Sequence, residues 1–289
     1  MVFRVFRFET NQQHAKARQK GIDLSSYPYV ALMDSDDVSV PCRFELQMSA
    51  FSANPDLSVV GGQINEFVGL EDCIKQSRQV PLKHEEIITE MRSRCAMNQV
   101  TVMFKKDDIM GVGGYIDWFW NEDYYLWVRM MKSGCRFGNI PEVLVNVRTG
   151  ADMYRRRGGW RYFKSESGIQ RLMLKERLIS FPRYIYNVTK RFGGEYLAPS
   201  FVRGWLFKML RTAPLPMPSA SSEKGYGDFS LTMSVYKGDN PVYFDRAIRS
   251  VLVEQTLKPR EFVLVVDGPV PQDIDEVIDR YQKMFQMEQ

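Results

Sequence analysis

Residues 229–240 read FSLTMSVYKGDN. An apolar strand runs into a small polar residue, a tyrosine and a Gly/Asp/Asn turn that starts a helix, as the first βα unit of a nucleotide-binding sheet does. After it, Phe244, Ala247, Ile248, Val251 and Leu252 share one helical face. EFVLVVDG (261–268) is a second buried-type strand ending at Asp267, and Ile274, Val277, Ile278, Tyr281 and Phe285 mark a second amphipathic helix. At the other end of the chain VFRVFRF (2–8) is a strand. NQQHAKARQKGI (11–22) is a helix with Asn at its N-cap position, and YVALMDSDD (29–37) is a strand running into acid. With the two ends joined, strands 229–236, 262–267, 3–8 and 29–34 alternate with helices in an unbroken parallel βαβ series. The expected order is therefore circularly permuted, with Gln289 and Met1 close together on the side of the sheet away from the ligand.

Composition bounds the rest. At 289 residues, 44% hydrophobic and 26% charged, the chain is long enough for one large α/β domain or two subdomains sharing a core. Cys42, Cys73, Cys95 and Cys135 form no CxxC pair, and with only His14 and His84 they offer no zinc-ligand spacing, so reduced core thiols are expected. No run of eighteen apolar residues exists. The net charge of +4 hides an asymmetry: Met153–Arg211 holds fourteen Lys/Arg against three Glu, and the remainder is acidic. Four regions follow: 229–289 plus 1–40 as a nucleotide-binding half, 41–150 as a catalytic half, 151–211 as a basic helical extension lying mid-chain, and 212–228, TAPLPMPSASSEKGYGD, as a linker.

In an open parallel sheet ligands sit outside the carboxyl ends of the strands, where loops and helix N-termini present amides to anions. Ser234 and Tyr236, Asp267, and Asp34, Asp36 and Asp37 all fall on that edge. Carboxylates two residues apart at a strand end can share a hard divalent ion, although an Asp-x-Asp alone also describes an exposed acidic turn. In DWFWNEDYYLWVRM (117–130), Glu122 and Asp123 open a helix among aromatics. They either compensate the helix dipole or, partly desolvated by the aromatic wall, supply a general base. In VRTGADMYRRRGGW (147–160), Arg148, Arg155, Arg156 and Arg157 either close over a diphosphate or begin the basic segment.

In rotated order these segments resemble the family 2 glycosyltransferases with a GT-A fold, particularly bacterial enzymes that extend surface polysaccharides. The likeness covers 229–289 and then 2 to about 159. SLTMSVYKGDNPVYFDRAIRSVLVEQTLKPREFVLVVDG is similar to the family's opening segment, NQQHAKARQKGI to its Asn/Gly/Ala-Arg segment, YVALMDSDDVSVPCRFELQ to its metal-binding segment and NEDYYLWVR to its catalytic segment. The resemblance implies an α/β, GT-A type open and mainly parallel sheet with helices on both faces. It implies that Ser234 and Tyr236 line a uridine pocket, Asp267 accepts the uracil imide hydrogen, Arg18 and Arg148 join nucleotide binding, and Asp34 holds the ribose or the metal. Asp36 would coordinate Mn²⁺ or Mg²⁺, and Asp123 beside Glu122 would be the catalytic base. The chain departs from the family's pattern at Val266, Gln13 and Gln19, and it carries Arg148 where many members have a histidine.

The implied reaction is an inverting displacement from a UDP-sugar to a saccharide hydroxyl. The acceptor would enter between Asn98 and Gln99 on one side and Trp118, Trp120 and Trp127 on the other, unless these tryptophans are ordinary core. The basic aromatic helices would lie on the inner face of the cell membrane, where a lipid-linked acceptor is presented, in a cytoplasmic and peripheral protein. No recognised nucleic-acid motif accompanies the charge. A nucleotidyltransferase using the same acidic edge, and a non-catalytic membrane-surface-binding protein, are the alternatives.

Overall fold

A computed structural model describes residues 1–69, 71, 73–150, 159–197, 202, 209, 211–218 and 225–286. In chain order the elements are β1 (Val2–Arg7), α1 (Gln13–Leu24), β2 (Tyr29–Met33), β3 (Val38–Ser39), α2 (Arg43–Ala53), β4 (Leu57–Phe67), β5 (Ile74–Arg78) and α3 (His84–Met91). They continue with β6 (Met103–Lys105), α4 (Lys106–Gly111), α5 (Glu122–Lys132), β7 (Arg136–Arg148), α6 (Trp160–Lys175) and α7 (Phe181–Arg191). β8 (Phe229–Val235), α8 (Pro241–Leu252), β9 (Glu261–Val266) and α9 (Gln272–Gln286) complete them.

One sheet runs β1-β9-β8-β2-β6-β4-β7-β3, with β5 paired to β4. Its first half is parallel throughout: β1 pairs β9, β9 pairs β8 and β8 pairs β2. β8 and β9 read as near-continuous hydrophobic runs because both of their faces are covered, as a parallel sheet requires. β1, with Arg4 and Arg7 on it, is the edge strand. The expectation of a mainly parallel sheet is corrected in the second half, where β2–β6, β6–β4, β4–β5 and β3–β7 are antiparallel and only β4–β7 is parallel.

Strand alternation divides the core. Ala31 and Met33 join Leu231 and Met233 in a cluster covered by α2, α8 and α9, whereas Val30 and Leu32 face the opposite cluster with α1, α3, α5 and α6. Helix α8 starts where Asn240 Oδ1 accepts from the amides of Val242 (2.9 Å) and Tyr243 (3.3 Å), with Pro241 in the first turn. Helix α1 comes close to β8 through Gly21, where a Cβ would stand 1.9 Å from Thr232 Oγ1. The Phe3 and Phe285 rings stack at 6.2 Å, so α9 packs beside β1. Gln289 lies outside the described residues.

The segment 212–218 is not a free linker. Thr212 and Ser77 exchange backbone hydrogen bonds of 3.0 Å, and the Leu215 amide donates to Asn65 Oδ1 (3.1 Å). Arg211 pairs with Glu66 at 2.6 Å, both side chains almost fully buried. The Pro/Ser composition is that of a linker, but buried polar groups on β4 and β5 need partners and this segment supplies them. No helix among the described residues is long and apolar enough to cross a membrane.

Candidate active site

In the parallel half the register brings the strand ends level: Met33 faces Met233, and Val266 faces both Val235 and Arg7. Ser234, Tyr236, Asp34 and Asp267 therefore emerge on one edge. They line a crevice of about 670 Å³ together with Arg18, Asp36, Trp120, Glu122 and Asp123. The first and last sixty residues of the chain thus share a wall with the start of α5.

Arg18 ties that wall together. Its Nη2 donates to Asp34 Oδ1 at 3.0 Å and its Nη1 to Glu122 Oε1 at 2.8 Å. Burial opposes the charge, but Asp34 and Glu122 outweigh it and raise the guanidinium's pKa. Asp267 has a structural duty as well: Oδ1 accepts from the Gln12 amide (2.5 Å) and Oδ2 from the Gln13 amide (3.0 Å). The carboxylate that directly follows β9 therefore caps α1, in place of the Asn11 cap expected from sequence, and Asn11 Nδ2 instead donates to the Asp267 carbonyl at 3.3 Å. Gln13 (φ 70°) and Trp120 (φ 56°) line the crevice with left-handed backbone, a strained conformation for non-glycine residues that concentrates at functional sites.

Negative charge accumulates at the crevice floor. Asp36 keeps a water-facing surface although protein surrounds most of it. Partial burial and the neighbouring Asp34 and Asp239 push its pKa up to about 6, and the open face lets water soften that effect. Asp239, absent from the sequence expectations, accepts from Ser35 Oγ (2.9 Å) and the Tyr236 amide (3.0 Å), and burial raises its pKa. It stood in the opening GDN turn, where it read as turn chemistry alone. His14 also lines the crevice, its ring 5.8 Å from that of Trp120. Burial and then Arg18 lower its pKa against the pull of Asp34, Asp239 and Asp267. Beneath the acidic loop the fully buried Arg43 donates to the Leu32 carbonyl at 2.7 Å and to Gln47 Oε1 at 3.1 Å.

Trp127, Asn98, Trp118 and Arg148 stay outside the crevice. Trp127 is 0% exposed and packs edge-on to Phe137 at 6.2 Å, so the acceptor role expected for it is corrected to core. Asn98 is 1% exposed and spends its amide on the Gly62 carbonyl at 2.9 Å, which removes it from the acceptor wall too. Gln99 and Trp120 do line the crevice, while Trp118 packs on Tyr125 at 4.4 Å. Arg148 does not face the crevice space. Its guanidinium lies 3.6 Å from the Tyr243 ring centroid and 4.6 Å from that of Phe67, and donates to the carbonyls of Asp36 (3.2 Å) and Gly69 (2.6 Å). Its amide donates to Asp37 Oδ1 at 2.8 Å, so Arg148 braces the acidic loop from behind. Arg155, Arg156 and Arg157 lie outside the described residues. Arg161 and Tyr162 of α6, which sequence reasoning missed, reach the crevice instead.

Among the described residues no three metal-ligating side chains converge to enclose an ion. Asp34, Asp36 and Asp239 line the same crevice, a donor set that fits a hard divalent cation held by one or two carboxylates, with the remaining positions left to phosphate and water.

The family model described as "Glycosyl transferase family 2" matches residues 2–111. The chain is 33% identical over 210 residues to the amylovoran biosynthesis glycosyltransferase AmsE of Erwinia amylovora, covering 73% of this chain and 71% of that protein. It is 32% identical over 206 residues to the UDP-Gal:alpha-D-GlcNAc-diphosphoundecaprenol beta-1,3-galactosyltransferase of Escherichia coli, covering 70% of this chain and 73% of that protein. An uncharacterized glycosyltransferase of Haemophilus influenzae is 32% identical over 200 residues, 69% of this chain and 74% of that protein.

Proposed function

The chain belongs to glycosyl transferase family 2, and from that premise we propose that it moves a sugar from a UDP-sugar to a hydroxyl of a lipid-linked saccharide acceptor, with inversion, in surface polysaccharide biosynthesis. The observation that carries this reading is the single crevice lined by Ser234, Tyr236, Asp267, Asp34 and Asp36 from the strand ends and by Glu122 and Asp123 from α5. Ser234, Tyr236 and Asp267 take the uridine. Asp36, with Asp34, would hold Mn²⁺ or Mg²⁺, which would supply positive charge against the diphosphate. Among the described residues, Arg18 and Arg161 are the arginines that line the same space.

Asp123 removes the proton from the acceptor oxygen as that oxygen attacks the anomeric carbon, so one bond forms while the bond to UDP breaks and no covalent enzyme intermediate arises. Glu122, fixed by Arg18, holds the start of α5 and with it the base. Trp120 offers the acceptor a ring face at the mouth of the crevice. The sheet order β1-β9-β8-β2 supports reading the chain as a circularly permuted member of the family. The acceptor is met at the inner face of the cell membrane.

The test is metal-dependent UDP release across a panel of UDP-sugars with polyprenyl-diphosphate saccharide acceptors. Asp123→Asn lowers kcat by about 10²–10⁴-fold with UDP affinity retained. Unchanged release in that variant removes the base assignment, and release of pyrophosphate instead of UDP would replace the reading with nucleotidyl transfer.

A further inference from the structure

Helix α7 is inside out. Its buried residues are Asn187 and Arg191, whereas Phe181, Ile185 and Tyr186 stand 63%, 47% and 58% exposed. The inward polar groups are satisfied: Asn187 Nδ2 donates to the Arg92 carbonyl (2.9 Å) and to Gln170 Oε1 (2.7 Å), and Arg191 Nε donates to Glu166 Oε2 (2.7 Å). A helix that faces water buries its apolar stripe; here Phe181 and Ile185, four apart, and Phe192, seven further on, form one stripe pointing outward. The Phe192 ring lies tilted against Tyr196 at 5.3 Å and Tyr196 meets Trp160 edge-on at 5.4 Å, all three rings partly exposed. Scattered exposed apolar residues are ordinary, but a connected aromatic stripe marks a surface that something covers.

We propose that this face docks on an anionic lipid bilayer. The choice of occupant comes from charge: residues 160–191 carry eight Lys/Arg against two Glu. Exposed cations stand over the same rings, Lys164 over Trp160 at 5.3 Å and Arg183 over Tyr186 at 6.0 Å. Aromatics flanked by Lys and Arg suit the headgroup layer of a negatively charged membrane. A second copy would bring the same basic face in a two-fold contact, which like charges oppose. The face also adjoins the crevice, because Arg161 and Tyr162, which line it, directly follow Trp160. Docking thus brings the crevice mouth to the lipid surface. This deepens the reading of a lipid-linked acceptor and rests on it for the partner's identity.

Flotation with vesicles of phosphatidylcholine alone, or with phosphatidylglycerol mixed in, tests the proposal without turnover. The full chain floats with the anionic vesicles and not with the neutral ones, and rising salt weakens the association. Replacing Phe181, Ile185 and Tyr186 together by serine lowers partitioning at least about tenfold, while circular dichroism and UDP affinity stay unchanged. Arg183→Glu and Lys190→Glu each lower it about fivefold. A chain that ignores anionic vesicles, or a triple variant that binds them as before, overturns the proposal. So does a wild-type dimer that the triple variant turns into a monomer, because the face is then an interface between copies. Flotation that persists when no sugar is transferred counts against the functional reading and leaves this one standing.

Discussion

Replacing Arg18 by methionine removes one guanidinium from two carboxylates while keeping most of the side chain's volume. The contacts are 3.0 Å to Asp34 and 2.8 Å to Glu122, and the side chains of Arg18, Asp34 and Glu122 are 14%, 32% and 13% exposed. Taking one partner out of a buried ion pair costs about 3–5 kcal/mol, because the remaining charge is stranded. Asp34 is a third open to water, so the expected loss lies at the lower end, about 3 kcal/mol. That is about two orders of magnitude in the folding equilibrium and roughly 6–10 °C in Tm for a chain of this size. Urea unfolding measures it directly. In a double-mutant cycle with Glu122→Gln, the second substitution recovers about half of the loss, since it removes the charge left behind. A loss below about 0.5 kcal/mol, or single-mutant effects that simply add within about 0.5 kcal/mol, would refute the idea that Arg18 holds the two walls together.

Further outcomes follow from the same geometry. Gln13→Gly relieves the left-handed backbone at φ 70° and stabilises the protein by about 0.5–1 kcal/mol, whereas Gln13→Ala gives no gain in the same thermal melts. Desolvation, with Asp34 and Asp239 close by, pushes the Asp36 pKa up to about 6 at most in the folded protein, against the ordinary carboxylate value when unfolded. Its ionisation therefore weakens the fold fully above pH 6 and not at all below about pH 4. Asp36→Asn accordingly raises Tm in metal-free buffer at pH 7–8, and the gap closes on acidification; a gap constant across that range contradicts the assignment. Trp127→Ala lowers stability by about 3–5 kcal/mol through the cavity it leaves, and a variant that loses acceptor affinity at full stability would restore Trp127 to the site.

The strands at both ends of the chain were legible because fully buried runs such as EFVLVV leave little alternative, and because Asp34 and Asp267 directly follow such runs. Their meeting place followed from the register of parallel strands. The tryptophans of 117–130 were not separable by sequence: Trp120 and Trp127 sit seven apart, yet one precedes α5 in a strained loop and the other faces the core from within it. Arg148 was placed at the correct strand end, but its direction depends on the rings of Phe67 and Tyr243, which come from distant segments. Asp239 and His14 lay in stretches already assigned to turn and helix, so nothing in spacing marked them. The segment 212–218 carries linker composition, and only the unsatisfied polar groups of β4 and β5 reveal why it is held.

The sheet order also sets a timetable. Among the described residues β1 pairs with β9 alone, and β2 needs β8 on one side, so strands made early wait for strands made late. At about 5–20 residues per second, more than 250 residues separate β1 from its partner, a delay of about 13–50 s. During that interval the backbone of β1 stays unpaired and open to other nascent chains, a hazard that a linear βαβ order closes within about 30 residues. Slower translation lengthens that exposure, and the expected outcome is a lower soluble yield.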